Sequence, residues 1–134
     1  MNVKISLCLI QIFNLQRLAV LTTALTRSPP DPELIYLAMQ DRVHQPYRKH
    51  LVISFTLQSN QQIPGLPDIL ASVTPKSHPG LLGICLSGAG PTILALATHN
   101  FGSIAEVIVK KFAEENITCR SEVLVPAFNG ATVE

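Results

Sequence analysis

The sequence has few charged residues, few aromatic residues and no tryptophan, and these shortages exclude several classes of protein. Only 14% of its 134 residues are charged and 47% are apolar, which excludes a disordered tail. The net charge is +1, so the chain lacks the basic field that binding to nucleic acid needs. It also has no run of about 18 apolar residues, so we expect neither a transmembrane helix nor a membrane partner. The length fits one domain or part of one.

Cysteine is also scarce. Cys8, Cys85 and Cys119 cannot form a closed set of disulfides, and no two of them have the spacing of metal ligands. We interpret them as small apolar core residues without an activating neighbour. A reducing compartment suits this usage, so we predict a cytoplasmic location. The apolar run over residues 5–13 is interrupted and lacks a cleavage site, and we interpret it as a frayed strand or a gene-prediction artefact rather than a secretory signal.

Helical spacing of apolar residues predicts a helix over residues 15–26. Asp31 is placed to cap a second helix, with Pro32 in its first turn and Pro46 at its end. These two helices are expected to form an αα-hairpin that packs on another element. A strand over 51–57 and a helix from Pro67 to residue 73 follow.

The clearest pattern lies between residues 81 and 125. Apolar runs over 81–86 and 92–97 flank a glycine-containing loop, which predicts a hairpin buried on both faces. A capping box at Ser103 and Glu106 predicts the start of a helix, and Asn116 its left-handed end. Alternation over 118–125 predicts a last strand. The fold class is therefore α+β, of the ferredoxin-like split βαβ kind, with the leading helices packed on an antiparallel sheet.

The hairpin loop is the first candidate site. Glycines let successive backbone N–H groups turn toward one anion, and flanking hydroxyls add donors. The residues concerned are Ser87, Gly88, Ala89, Gly90 and Thr92. Spacing alone favours an ordinary tight turn over such an anion nest. The loop is neither a P-loop nor a dinucleotide fingerprint, because no Gly-Lys-Ser/Thr follows and it leads into a strand.

The second candidate site is the segment 41–48, which brings two arginines, a histidine and a tyrosine to a helix end. An arginine fork can bind a carboxylate with two hydrogen bonds, worth about 1.5–3 kcal/mol. A solvated helix terminus is the alternative, and the spacing alone favours it. His50, His78 and His99 stand singly in turn-like contexts and are interpreted as surface residues.

Taken together, these segments resemble the homoserine kinases, a family of the GHMP small-molecule kinases, and most of all the fungal forms. The resembling residues are 14–21, 39–48, 63–67, 80–92 and 126–131. The Gly-Ala-Gly-Pro-Thr loop matches the third GHMP motif, and the Pro-Tyr-Arg segment that ends at Arg48 is more particular to homoserine kinases.

The resemblance implies a GHMP kinase C-terminal domain and phosphoryl transfer from ATP, with Mg²⁺, to the hydroxyl of L-homoserine. It implies that Arg48 contacts the homoserine carboxylate, with Arg17 as a second substrate contact. It also implies that Ser87, Gly88, Ala89, Gly90 and Thr92 support the phosphate loop. No residue of this chain is expected to be the catalytic base, and a homodimer is an expectation of the same kind.

Three departures from the family limit what the chain should do alone. The ATP-loop domain that precedes this region in the family is missing, and residues 1–13 resemble nothing in it. Residues 52–62 interrupt the resemblance over 14–134. Their valine start and glutamine end fit GT and AG, so we interpret them as translated intron sequence. A mature transcript that contains these codons would exclude that origin. We expect the chain by itself to be inactive.

Two other functions stay open at this point. A ferredoxin-like domain could act without catalysis, as an amino-acid-binding or dimerisation module. Another GHMP kinase, such as a mevalonate kinase, shares the glycine loop, and only the Pro-Tyr-Arg segment argues against it.

Overall fold

The computed structural model describes residues 3–42, 63–88 and 91–126 of the chain. The elements, in order, are α1 (Val3–Leu25), α2 (Pro32–Ala38), α3 (Leu66–Ser72), β1 (Leu81–Leu86), β2 (Ile93–Ala97) and α4 (Phe101–Glu114). This is the predicted α+β architecture. None of the described helices combines the length and the apolar character that are needed to span a membrane. The strand predicted over 51–57 lies outside the described residues.

α1 is longer than the sequence predicted, because it begins at Val3 rather than at residue 15. Residues 3–25 contain neither proline nor glycine, so no residue breaks the hydrogen-bond ladder. The interpretation of the N-terminal run as a frayed strand is therefore wrong. The helix also continues without interruption from residue 13 into residue 14, where the family resemblance was expected to begin. Among its described side chains only Ala24 is fully buried.

α2 begins as predicted and ends early. The Asp31 carboxylate accepts a hydrogen bond of 3.0 Å from the Leu34 amide. Over residues 39–42, however, the helix prediction is wrong, and the rest of the predicted helix lies outside the described residues. In a continuing helix the Arg42 amide would donate to the carbonyl of Ala38, but here it donates to the side-chain oxygen of Asn14 at 3.0 Å. The Asn14 side chain of α1 thus binds the amide that would form a hydrogen bond in the next turn of α2.

The predicted hairpin of β1 and β2 is present. The strands are antiparallel, with Leu86 opposite Ile93 and Leu81 opposite Ala97, and a bulge lies between Leu81 and Gly83. Its inner face packs against α3 and α4 in one hydrophobic core. The buried members of this core are Ile63, Leu66, Ile69, Val73, Leu81, Ile84, Leu86, Ile104 and Phe112. The outer face is less buried than predicted, since Leu94 is 43% exposed.

α4 ends as predicted but begins differently. Asn100, at φ 59°, is the N-cap, and the Ser103 hydroxyl donates to its carbonyl at 3.0 Å, so the predicted capping box is not formed. At the other end Asn116 is left-handed, at φ 60°. Its amide donates to the Ala113 carbonyl at 3.0 Å, and the Ile117 amide donates to the Phe112 carbonyl at 2.9 Å. This pair of bonds is a Schellman cap.

The strand predicted over 118–125 is not formed. The described residues contain a two-stranded sheet, and residues 118–126 do not pair with either of its edges. Alternation specifies which side chains share a face, but a strand also needs the backbone of a partner. Cys119 still packs against the core, whereas Leu124 and Val125 are exposed. The described residues therefore lack the third strand of the predicted split βαβ arrangement.

Candidate functional site

A cleft of about 360 Å³ lies on the outer face of the hairpin, between α1 and the residues that end α2. Most of its lining is apolar, including Leu18 and Leu21 of α1 and Leu94 and Leu96 of β2. The polar side chains of the lining are Asn14, Arg17, Gln40 and Asp41. Apolar walls with a few polar groups are typical of small-molecule sites, so this cleft is the candidate site.

Met39 sets the distance between α2 and the hairpin. A Cβ atom at Gly83 would overlap the Met39 sulfur, so the close approach of these two elements requires glycine in β1. This contact is possible because Gly83 and Cys85 point to the outer face of the sheet, opposite the core.

Asn14 joins α1 to the residues that follow α2. Its side-chain amide donates to the Asp41 carboxylate, and its side-chain oxygen accepts from the Arg42 amide at 3.0 Å. The nitrogen and the oxygen of the Asn14 side chain therefore bind two consecutive residues, and we call this pair of hydrogen bonds the Asn14 fork. The Asn14 fork fixes Asp41 in the cleft lining and Arg42 beside it.

Two arginines converge on one aromatic ring next to this fork. The Cζ atom of Arg17 lies 4.6 Å from the centroid of the Phe13 ring, and the Cζ atom of Arg42 lies 4.0 Å from it. Both distances are within the range of a cation–π interaction. Arg17 and Arg42 come from α1 and from the segment after α2, so the pair depends on the contact between these two elements.

Cys85 faces the cleft but is not an activated nucleophile. Burial raises the pKa of its thiol, and the nearby Asp41 carboxylate raises this pKa further. The thiol is therefore protonated at neutral pH, in agreement with the prediction of an inert cysteine. Within the described residues Cys85 and Cys119 are free thiols.

The glycine loop is described only at its two ends. The Ser87 amide donates to the Thr92 carbonyl at 2.8 Å, which closes the hairpin and removes one N–H group from any anion nest. Gly88 is left-handed at φ 54°, lines the cleft and has open space beside its Cα atom. Ser87 and Thr92 are exposed. Ala89 and Gly90 lie outside the described residues, so the choice between nest and tight turn stays open.

The structure brings two of the predicted site residues together, because Arg17 and Gly88 line the same cleft. Arg48 and His50 lie outside the described residues. His99 is exposed and His78 is partly exposed, as predicted for surface residues. The sequence reasoning missed Phe13, Asn14 and the role of Arg42. The one available signal was Asn14, a polar residue of low helix propensity inside an apolar run.

Comparison with known proteins identifies proteins that are similar to this chain. The chain is 62% identical to homoserine kinase of Saccharomyces cerevisiae over 123 residues. The aligned region covers 92% of the chain and 31% of that kinase. The chain is related to the homoserine kinases. It is 54% identical to homoserine kinase of Schizosaccharomyces pombe, over 92% of the chain and 33% of the kinase. With homoserine kinase of Persephonella marina the identity is 37%, over 92% of the chain and 36% of the kinase.

These comparisons confirm the predicted resemblance, and the identities are higher with the two yeast kinases than with the Persephonella one. The α+β fold is consistent with the GHMP kinase C-terminal domain that this similarity implies, and the comparisons do not favour a non-enzymatic module. The chain spans about a third of the length of these homoserine kinases. No protein-family model matches the chain, and no solved structure does.

Proposed function

We propose that residues 14–134 form the C-terminal domain of an ATP-dependent homoserine kinase, with residues 52–62 as an insertion. The supporting observation is 62% identity over 92% of the chain. The complete enzyme transfers the γ-phosphoryl group of ATP to the hydroxyl of L-homoserine, on the route to threonine. The hydroxyl oxygen bonds to the γ-phosphorus and releases its proton to the solvent, the bond from the γ-phosphorus to the bridging oxygen breaks, and ADP leaves.

We propose roles in binding the substrate and in supporting the ATP site for the candidate site residues. Arg48 binds the homoserine carboxylate and Arg17 makes a second contact with the substrate. The position of Arg17 in the lining of an apolar cleft supports this role. The residues proposed to brace the phosphate loop of ATP are Ser87, Gly88, Ala89, Gly90 and Thr92. The position of Gly88 in the same lining supports their placement near the substrate.

The described residues contribute only part of what such a reaction needs. No three potential metal ligands cluster in the part of the chain that the structure describes, so we assign no magnesium ligand here. Enzymes lower reaction barriers by at least about 8 kcal/mol, whereas one set of oxyanion donors supplies about 2.7–4 kcal/mol. We therefore expect no measurable kinase turnover from this chain alone. A cytoplasmic location and a homodimer complete the proposal.

Complementation tests this function. The chain is co-expressed with the N-terminal two-thirds of a yeast homoserine kinase in a threonine auxotroph that lacks the enzyme, and each part is also expressed alone. Growth without threonine is expected only when both parts are present. Soluble expression of both parts without growth, also after deletion of residues 52–62, would contradict the proposal.

Two arginine variants sharpen the test. Arg48→Ala should abolish complementation, because the substrate carboxylate loses its fork. Arg27→Ala is the matched control, since Arg27 is an exposed arginine in the turn after α1 and outside the cleft lining. Equal growth with the two variants would contradict the role of Arg48.

A further inference from the structure

We propose that the hairpin binds one more β-strand at the side of β2 (Ile93–Ala97) that faces away from β1, which we call the open edge. The bound strand comes from the remaining two thirds of a homoserine kinase. This joint presupposes the proposed function, because its partner is the rest of that kinase. It adds to that function the surface and the backbone groups that connect the two parts.

The backbone of β2 carries hydrogen-bonding groups that point away from β1. The Ser87 amide donates to the Thr92 carbonyl across the hairpin, so Thr92 directs its backbone groups toward β1. The direction alternates from residue to residue along a strand. The N–H and C=O groups of Ile93, Ala95 and Ala97 therefore point to the open edge.

The other end of β2 gives the same assignment. The Thr98 amide donates to the Gly80 carbonyl at 2.8 Å, so Thr98 also faces the β1 side and Ala97 faces away from it. In the part of the chain that the structure describes, the sheet has two strands, and no third strand pairs with these outward groups. A strand added there would form backbone hydrogen bonds at three residues of β2.

The composition of β2 does nothing to prevent such pairing. Proteins protect exposed strand edges with charged residues, prolines or bulges. β2 consists of isoleucine, leucine and alanine, and the bulge of the hairpin lies in β1. Every residue of β2 is at least partly exposed, whereas four of the six residues of β1 are buried. β2 therefore resembles a strand that is paired on both sides.

Residues 118–125 lie after α4 and have the alternation of a strand without a paired edge. Cys119 packs against the same core as Ile93 and Ala95 of β2. Two strands joined by a helix run parallel in one sheet, and in the split βαβ arrangement another strand lies between them. A strand bound at the open edge would therefore give residues 118–125 the partner that they need.

The side chains of β2 define the chemistry of the partner. Ile93 and Ala95 pack against the core, and Leu94 and Leu96 line the cleft on the opposite face. The bound strand therefore meets apolar side chains on both faces, so we expect a short extended run that is apolar on both.

The described residues contain no strand before α1, where the split βαβ arrangement has one. Because the chain spans about a third of the homoserine kinases that it matches, the other two thirds are the source of this strand.

Hydrogen exchange tests the open edge residue by residue. The chain is co-expressed with the N-terminal two-thirds of a yeast homoserine kinase, and amide exchange in the complex is compared with exchange in the chain alone. The amides of Ile93, Ala95 and Ala97 should exchange about tenfold more slowly in the complex, because each gains an acceptor. The amides of Leu94 and Leu96 already face β1 and should change less.

Two variants of Ala95 separate the backbone group from the side chain. Ala95→Pro removes the central outward N–H group, at a position where an edge strand tolerates proline, and should abolish the added protection at Ile93 and Ala97. Ala95→Ser keeps the N–H group and is the matched control, with the same added protection as the parent. Retained protection of the Leu96 amide checks that the hairpin is intact in both variants, and if it is lost the parent chain decides alone.

The outcomes distinguish this joint from the proposed function. A complex that restores growth of the threonine auxotroph without added protection at these amides would overturn the joint and leave the function standing. Added protection without growth would contradict the function and leave the joint. Protection in the chain alone that rises with its concentration would assign the open edge to a second copy of the chain and overturn the proposal.

Discussion

The two faces of the β1–β2 hairpin differ in how fully they are covered. Where the inner face packs against α3 and α4, Leu81 of β1 and Leu66 and Ile69 of α3 are completely buried. On the outer face α1 and α2 leave a cleft, and α1 still exposes Leu15 by 68% and Leu18 by 63%. The Asn14 fork and the two arginines at Phe13 lie on the outer side.

This difference separates stability from binding. The inner face removes most of its apolar surface from water, and such burial is the main favourable contribution to folding. The outer face retains space and polar groups, which a ligand needs. Changes on the inner face should therefore alter the free energy of unfolding, and changes on the outer face should alter local order or binding.

The largest effect is expected from the core. Leu66→Ala should lower the free energy of unfolding by about 2–5 kcal/mol, because Leu66 is fully buried and its removal leaves a cavity. Leu15→Ala on the exposed side of α1 is the control and should change it by less than about 0.5 kcal/mol. Urea denaturation of both variants measures the difference. Equal losses would show that α1 is packed as tightly as the core.

The next largest effect on stability is expected at two glycines, Gly80 just before β1 and Gly102 in α4. Gly80 has φ 96°, and a Cβ atom there would lie 2.6 Å from the His99 carbonyl oxygen, so Gly80→Ala should cost about 1–3 kcal/mol. Gly102 in α4 has open space around it, and Gly102→Ala should stabilise the protein by about 0.4–1 kcal/mol. Thermal unfolding should give opposite signs, and a shared sign would contradict this account.

Asn14 tests the outer face. Asn14→Ala removes the hydrogen bonds to Asp41 and Arg42 and should cost about 1 kcal/mol. Hydrogen exchange gives the sharper measurement, since the Arg42 amide loses its acceptor and should exchange faster. Gln16→Ala, an exposed neighbour in α1, is the control. Unchanged protection at Arg42 in the Asn14 variant would argue against the fork.

The smallest effect is a pH dependence. Because the pKa of Cys85 is raised in the folded protein, the folded state holds this proton more tightly than the unfolded state does. The stabilisation is therefore present below the ordinary thiol pKa of 9.0 and is lost as the pH rises through that value to the raised one.

Two variants measure this dependence. Cys85→Ala should flatten the fall in unfolding free energy over the alkaline range, and Asp41→Asn should flatten it partly, because burial still acts on the thiol. Urea denaturation at several pH values gives the slopes. A slope in Cys85→Ala as steep as in the parent would rule out the thiol as its source.

Several features could be predicted because their causes are local. The β1–β2 hairpin needs two apolar runs and a short loop, and both are visible in the sequence. Asp31 caps α2 through an amide three residues away, and Asn116 ends α4 by its own backbone conformation. The resemblance to homoserine kinases was also carried by short motifs, so it needed no structure.

Other features depend on residues that are distant in the chain. The end of α2 is set by Asn14, which takes the Arg42 amide from 28 positions away. The alternating segment after α4 pairs with no strand in the described residues, because pairing needs a partner edge that sequence alternation does not supply. Periodicity reports the preference of a segment, whereas tertiary contacts decide whether that preference is realised.

By itself the sequence determined the α+β class, the hairpin, two helix caps and the resemblance to the homoserine kinases, since each of these depends on neighbouring residues or on whole motifs. Only the tertiary structure decided where the cleft lies and which arginines contact Phe13. Arg17 and Arg42 are 25 residues apart in the sequence. They converge because α1 and the residues after α2 pack together around Phe13 and Asn14.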